Sequence, residues 1–154
     1  MPSPAFDSLD ISILQHLSAN ARKPYLEIAR DCGVSGAAIH QRIQRMTLNG
    51  VIQGAECLID PVSMGYETCG YVGLFLRDPA QFDNVVEALM QIPEVVECHV
   101  TTGAYDIFVK IFAHNNDHLL QILQTKIHAL GIARTETVLS FKLVFKRPIP
   151  IISK

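Results

Sequence analysis

The spacing of apolar positions divides the chain into a helical first part and a mixed second part. In the first part, apolar side chains recur every three or four residues, which is the period of helices packed on a core. The pattern predicts three helices, over residues 8–20, 24–32 and 36–49. Asp7 or Ser8 caps the first of them, and Gly33 allows a sharp turn between the second and the third. Two helices joined by a glycine turn in this order are typical of a helix-turn-helix.

The third predicted helix has the two-sided character of a recognition helix. It turns Ile39, Ile43 and Met46 inward and leaves small, polar and basic positions outward. Small residues allow a helix end to approach DNA closely, and its free backbone N–H groups favour phosphate. The residues predicted to contact DNA are Ser35, Gly36, Ala37, His40, Gln41 and Arg45. Arg42 could contact phosphate, but it is interpreted as a structural partner of Asp10. The alternative for the whole first part is a three-helix bundle with a solvated third helix.

The second part alternates strand and helix patterns. It predicts strands over residues 70–77, 95–102, 105–113 and 134–145, and helices over residues 79–92 and 115–130. Gly103-Ala104 forms a tight hairpin between the two middle strands. This order is that of a ferredoxin-like βαββαβ sandwich, in which both helices cover one face of an antiparallel sheet.

The other face of this predicted sheet is also apolar. Its apolar and small positions are Tyr71, Gly73, Phe75, Phe141, Leu143 and Phe145. A sheet that is apolar on both sides needs a partner, so we expect a homodimer built through this domain.

The predicted fold class is therefore α+β, an N-terminal winged helix-turn-helix followed by a ferredoxin-like domain. A turn-forming stretch around Asp60-Pro61 marks the boundary. The predicted organisation is a helix-turn-helix over residues 1–50, a wing strand and interdomain linker over 51–64, the ferredoxin-like domain over 65–147 and a C-terminal tail over 148–154.

Composition and charge narrow the function. The 154 residues are 49% apolar and 18% charged, which excludes a disordered chain or a coiled coil. The sequence shows neither a membrane-spanning apolar run nor a secretory signal, so we expect a cytoplasmic protein without a membrane partner. The net charge of -2 argues weakly against nucleic acid. Between residues 34 and 50, however, the only charged side chains are Arg42 and Arg45, which indicates a locally cationic helix.

Candidate chemistry other than DNA binding is sparse. The sequence has no nucleophile motif, paired carboxylates or glycine-rich phosphate loop, so it predicts no enzyme. Its four cysteines form no CxxC pair and are interpreted as reduced thiols, although a thiol-based redox regulator is kept as an alternative. His114 and His118 lie four residues apart, a spacing that could hold a metal ion on one side of a helix. A helix that begins between them favours an exposed pair instead, and no metal or cofactor is predicted.

Residues 6–145 resemble the Lrp/AsnC, or feast/famine, family of transcription regulators. The resemblance rests on Asp7-x-x-Asp10-x-x-Ile13-Leu14, Ala21-Arg22-Lys23, Ile28-Ala29, Gly33-Val34-Ser35, Arg42-Ile43, Gly50-Val51-Ile52, Asp60-Pro61, Gly65, Thr102-Gly103-Ala104-Tyr105-Asp106 and Thr135-Glu136-Thr137. It implies a regulator that binds double-stranded operator DNA and carries no catalytic activity. It also implies a homodimer, often assembled as four dimers in an octamer, with a small amino acid bound between dimers by the domain at residues 65–147.

The resemblance places the effector near the predicted hairpin. The expected effector-binding residues are Gly103, Ala104, Tyr105, Asp106, Thr135 and Thr137. Asp106 would orient the ammonium group, backbone N–H groups of the hairpin would receive the carboxylate, the threonines would add polar contacts and Tyr105 would form a wall. The alternative is that these residues only hold the turn and pack in the strands.

Two positions depart from the family pattern. Many members carry a polar residue at Ala104, so the resemblance does not imply a common effector such as leucine or asparagine for this chain. Many also carry Pro at Gly36, where Gly gives closer backbone approach but less pre-organisation of the recognition helix. A ferredoxin-like small-molecule sensor that binds no DNA is the remaining alternative function.

Overall fold

Three helices form the N-terminal unit. They are α1 (Ser8–Ala19), α2 (Tyr25–Cys32) and α3 (Gly36–Leu48). The structure, a computed structural model, describes residues 6–152, and contacts divide these into one unit of residues 6–58 with 145–152 and another of residues 59–144. The three predicted helices are confirmed to within two residues at each end.

Local sequence explains where these helices begin and end. Asp7 caps α1, since its side chain accepts a hydrogen bond from the backbone N–H of Asp10. In return, the side chain of Asp10 accepts a hydrogen bond from the backbone N–H of Asp7. Gly33 ends α2 with a φ of 67°, a left-handed conformation that favours glycine. Ser35 caps α3 by accepting from the N–H of Ala38. The buried core of the unit is formed by Ile13, Ile28, Ala29, Ile39, Ile43 and Met46.

The predicted wing strand is not formed. Residues 51–60 contain a bend and then no regular secondary structure. A strand needs a neighbouring strand for its backbone hydrogen bonds, and the one sheet in the described part of the chain pairs only later segments. Leu58 and Ile59 are accordingly 85% and 65% exposed. The segment is an extended arm.

The second unit has the predicted βαββαβ order. Its elements are β1 (Thr68–Leu76), α4 (Phe82–Met90), β2 (Val95–Val100), β3 (Ile107–Ala113), α5 (Asn116–Gln121) and β4 (Ile132–Ser140). A π-helical turn (Ile122–Ile127) and a 3-10 turn (His128–Leu130) continue α5 to Gly131, so the predicted helix over residues 115–130 changes its helical type after Gln121. The sheet order is β2-β3-β1-β4, and all three neighbouring pairs are antiparallel. Apolar residues of α4 and α5 pack with Val72, Leu74 and Val109 into one buried core, so both helices lie on the same face.

The predicted hairpin between β2 and β3 is wider than expected. Residues 101–106 form a loop rather than a two-residue turn. The hydroxyl of Thr101 donates to the carbonyl of Tyr105, and the backbone N–H of Asp106 donates to the carbonyl of Leu74 on β1. The β2–β3 pairing ends at Val100, which is the register partner of Ile107.

The last strand is shorter than predicted. It ends at Ser140, which pairs with Cys69 near the beginning of β1, and beyond that point β1 offers only one more residue as a partner. The chain from Phe145 onward groups with the N-terminal unit. Within residues 6–152, no helix combines the length and the apolar character needed to cross a membrane.

Candidate DNA-binding and effector sites

The predicted DNA-contacting residues lie together on the surface of α3 and at its N-terminus. Ser35, Ala37, His40 and Gln41 are exposed, while Ile39 on the opposite side is fully buried. This arrangement leaves a polar helix face with free backbone N–H groups at one end, which suits insertion into a major groove. Gly36 is partly buried because α2 crosses closely, and a Cβ at this position would lie 2.9 Å from Cδ2 of Leu26.

Two further residues extend this surface. Gln44 lies on the same exposed face and lines a shallow groove of about 430 Å³ with Gln41 and Arg45. Tyr25, at the first position of α2, has its ring centroid 6.2 Å from that of His40 and is 41% exposed. The sequence signal for Tyr25 is an aromatic residue at the start of a helix.

Arg45, a predicted DNA contact, also forms an ion pair within the N-terminal unit. Its Nη2 donates to both carboxylate oxygens of Asp10, at 2.9 and 2.7 Å. Asp10 is only 1% exposed, and Arg42 donates to the same carboxylate at 3.0 Å and to that of Asp7. The two arginines lie on successive turns of α3, so one acid on α1 reaches both. The expected structural role of Arg42 is borne out by these contacts, and Arg45 shares it while remaining half exposed.

This cluster also perturbs its exposed acid. The hydrogen bond from Arg42 holds the pKa of Asp7 below its usual value, and the same bond raises the pKa of Arg42. The charges of α3 are therefore largely matched by those of α1.

The effector candidates of the hairpin loop surround the end of β1. Gly103 adopts a φ of 103°, which its lack of a side chain permits. The carboxylate of Asp106 accepts from the backbone N–H of Leu76 at 2.8 Å, so this acid closes the loop onto β1. Its observed contact is the structural one that sequence reasoning offered as the alternative, although the side chain is exposed.

Tyr105 lies on the sheet face opposite the helices. Its ring packs directly above Gly73, where a Cβ would overlap it, and lies edge-on to Phe75 with centroids 5.3 Å apart. Its hydroxyl donates to Oε2 of Glu136 at 3.0 Å, and this hydrogen bond raises the pKa of Tyr105. The predicted wall is thus part of an aromatic surface that also includes Phe108.

Thr135 and Thr137 lie on the other face of the sheet. They are register partners of Leu74 and Val72, both fully buried under the helices, whereas Glu136 between them is the partner of Gly73. Side chains alternate between faces along a strand, so the threonines and Tyr105 are separated by the sheet. Within one chain the six effector candidates do not form a single pocket.

The alternative chemistries receive little support from the described residues. Burial raises the pKa of the Cys69 and Cys98 thiols, which disfavours the reactive thiolate. The rings of His114 and His118 stack at 5.0 Å, but the backbone N–H of His114 donates to Nδ1 of His118, and Nδ1 of His114 lies 2.8 Å from the carbonyl oxygen of Gly65. Among residues 6–152, no three potential ligands come together as a metal site.

Comparison with known proteins connects both units to one family. The AsnC-type helix-turn-helix domain matches residues 6–47, and the Lrp/AsnC ligand binding domain matches residues 70–150. The chain belongs to the Lrp/AsnC family. It is 39% identical over 137 residues to the regulatory protein AsnC of Haemophilus influenzae, covering 88% of this chain and 91% of that protein. With AsnC of Escherichia coli K12 the identity is 35% over 144 residues, covering 93% and 92%.

Solved structures of Lrp/AsnC proteins share the fold. The structure of E. coli AsnC superposes with a TM-score of 0.88 at 34% identity, over 94% of this chain and 98% of that one. A feast or famine regulatory protein of M. tuberculosis complexed with L-methionine superposes with a TM-score of 0.90 at 25% identity, over 96% and 100%. Members of this family are regulatory proteins rather than enzymes, and this chain is a helix-turn-helix transcription regulator.

Proposed function

We propose that this Lrp/AsnC regulator reads operator DNA with the exposed face of α3. The observation that carries the proposal is the two-sided burial of this helix, which places His40 and Gln41 outward while Ile39, Ile43 and Met46 are buried. Gln side chains pair with the purine edges exposed in a major groove, and His gives a shorter polar contact. The full proposed contact set is Ser35, Gly36, Ala37, His40, Gln41 and Arg45.

The ion pair with Asp10 limits the contacts that Arg45 can make with DNA. Its bond to Asp10 fixes the guanidinium, yet half of the side chain is exposed. We assign it a phosphate contact made from this fixed position, because a base-reading role would require it to leave a buried carboxylate.

The DNA-binding face can be tested by selection from random double-stranded DNA. The selected duplex is then measured against His40→Ala and Gln41→Ala, with Gln121→Ala on α5 as the control for an exposed polar residue outside α3. The two α3 variants should weaken binding to the selected duplex at least tenfold and bind random duplex nearly as well as the parent protein. Equal losses on both duplexes would contradict base reading by α3.

We further propose that a small amino acid is the effector, bound where dimers meet. The L-methionine complex of the M. tuberculosis relative supports this ligand class. In one copy, the sheet separates Tyr105 from Thr135 and Thr137. We therefore propose that each site is formed by two copies of the chain, one of which supplies Gly103–Asp106 and the other the two threonines. This arrangement requires a homodimer that assembles further, with four dimers in an octamer as the proposed state. The cytoplasm is the proposed location, where DNA and free amino acids are both present.

A thermal-shift screen against the twenty amino acids tests the effector. A ligand specific to the assembled protein raises its melting temperature, and Thr135→Val should abolish that shift without altering the melting temperature of the free protein by more than a few degrees. Mass measurement with and without the ligand shows whether assembly changes. A ligand-induced shift retained by a strictly dimeric protein would refute the site between dimers.

A further inference from the structure

The C-terminal segment 145–152 belongs structurally to the DNA-binding unit. It groups with residues 6–58, and the side-chain amide of Gln15 on α1 donates to the backbone carbonyl of Ile151 at 3.0 Å. Lys146 and Arg147 are exposed in this segment. Two basic side chains distant in sequence are thus added to the helix-turn-helix.

The helix-turn-helix itself has no excess of positive charge. Over residues 6–58 five basic residues are matched by five acidic ones: Arg22, Lys23, Arg30, Arg42 and Arg45 against Asp7, Asp10, Glu27, Asp31 and Glu56. The unit of residues 59–144 carries ten acidic and five basic residues. The C-terminal segment therefore supplies the whole positive excess of the DNA-binding unit.

Three of the five basic side chains of residues 6–58 are already paired. Arg42 and Arg45 are bound to Asp10, and Nζ of Lys23 lies 2.5 Å from a carboxylate oxygen of Asp31. In contrast, Lys146 and Arg147 have no acidic partner within the described residues, and no acidic residue follows Glu136 in the sequence. A cation that is not neutralised by a carboxylate is available to bind phosphate and release its counterions.

We infer that Lys146 and Arg147 are additional DNA contacts, which bind backbone phosphates without reading sequence. The inference rests on the proposed DNA-binding function and extends it to a segment outside the helix-turn-helix. The guanidinium of Arg147 lies 4.5 Å from the centroid of the Phe145 ring, which restricts its orientations before DNA binds. Each phosphate contact contributes about 0.9 to the slope of log K against log salt.

The test measures this salt slope on the duplex selected from random double-stranded DNA and on an unselected random duplex. Lys146→Gln with Arg147→Gln removes two charges from the segment, and Arg77→Gln with Lys142→Gln removes two exposed charges from the other unit as the matched control. The segment variant should reduce the slope by about 1.8 on both duplexes, whereas the control should leave it within about 0.5. Lys146→Arg with Arg147→Lys should restore the parent slope.

Three results would overturn the inference. One is a segment variant whose slope equals that of the parent, and another is an equal reduction by the control pair. The third is a reduced slope accompanied by a change in the oligomer mass of the segment variant, which would assign the segment to contacts between copies. If the parent protein bound neither duplex, the proposed function itself would fail, a result distinct from these three.

Discussion

The carboxylate of Asp10 offers the sharpest test of how the DNA-binding unit is held together. It is 1% exposed on α1 and accepts hydrogen bonds from Arg42 and Arg45 on α3 and from the backbone N–H of Asp7. Asp10→Asn preserves the shape of the side chain but removes the charge and one acceptor oxygen. Both guanidinium groups then lose their charged partner at this position.

The expected cost follows from burial on the two sides of the interaction. Removing one member of a fully buried ion pair costs about 3 to 5 kcal/mol, because the remaining charge stays buried. Here the side chains of Arg42 and Arg45 are 29% and 51% exposed, so water can partly solvate them after the change. We therefore expect Asp10→Asn to destabilise the α1–α3 contact by about 2 to 3 kcal/mol.

Native-state hydrogen exchange can measure this loss locally. Slow amides of α3 should exchange roughly 30- to 150-fold faster in Asp10→Asn, which corresponds to that free energy. Amides of β3 report on the other unit and should be unaffected where exchange is local. Asp83→Asn, in the first turn of α4, removes an exposed acid with no ion pair within the described residues and serves as the control. An α3 acceleration below threefold would refute the reasoning.

Three further changes test other parts of the structure. Gly73→Ala should destabilise the second unit by about 1 to 3 kcal/mol in urea unfolding, because its Cβ displaces the Tyr105 ring, and a cost that persists in a Tyr105→Ala background would exclude this cause. The bond from Lys126 lowers the pKa of Glu94, so this pair stabilises above the usual value of 4.5 and is lost as pH falls through the lowered pKa. Stability measured from pH 6 to 3 should therefore fall less steeply in Glu94→Gln, and parallel curves would contradict the pair. Gly33→Ala should cost about 1 to 2 kcal/mol in thermal unfolding, since alanine is strained at a φ of 67°, and an unchanged melting temperature would show that the turn relaxes freely.

The helices could be predicted from sequence because their signals are local. Asp7, Ser35 and Asn115 cap the helices that begin next to them, and Gly33 and Gly131 end their segments in the left-handed conformation. The order of strands and helices was also enough to predict an antiparallel sheet with both helices on one face. Strand length was less accessible, since β4 ends where β1 stops offering partners and not where its own apolar pattern stops.

The prediction of a wing strand is wrong for the same reason, because strand formation depends on a neighbouring strand. Residues 51–60 have an extended, apolar pattern, but a strand is defined by hydrogen bonds to a neighbour, and no neighbour could be identified from the segment itself.

The ion pairs between α1 and α3 could be predicted only in part. The sequence predicts the pairing of Arg42 with Asp10, but it does not predict the bond from Arg45, one turn later on α3, to the same carboxylate.

The effector site shows where sequence reasoning stops. Thr135 and Thr137 were grouped with Tyr105 through family resemblance, but register sets the face of each strand residue, and a shift of one residue would reverse it. The observed register pairs Glu136 with Gly73 beneath the Tyr105 ring, so Glu136 lies on the aromatic face and the threonines lie on the face covered by the helices. Any single pocket that uses both sets of residues must therefore include more than one copy of the chain. Binding of an amino acid at such a pocket would therefore depend on assembly, so effector binding and oligomeric state should be measured on the same samples.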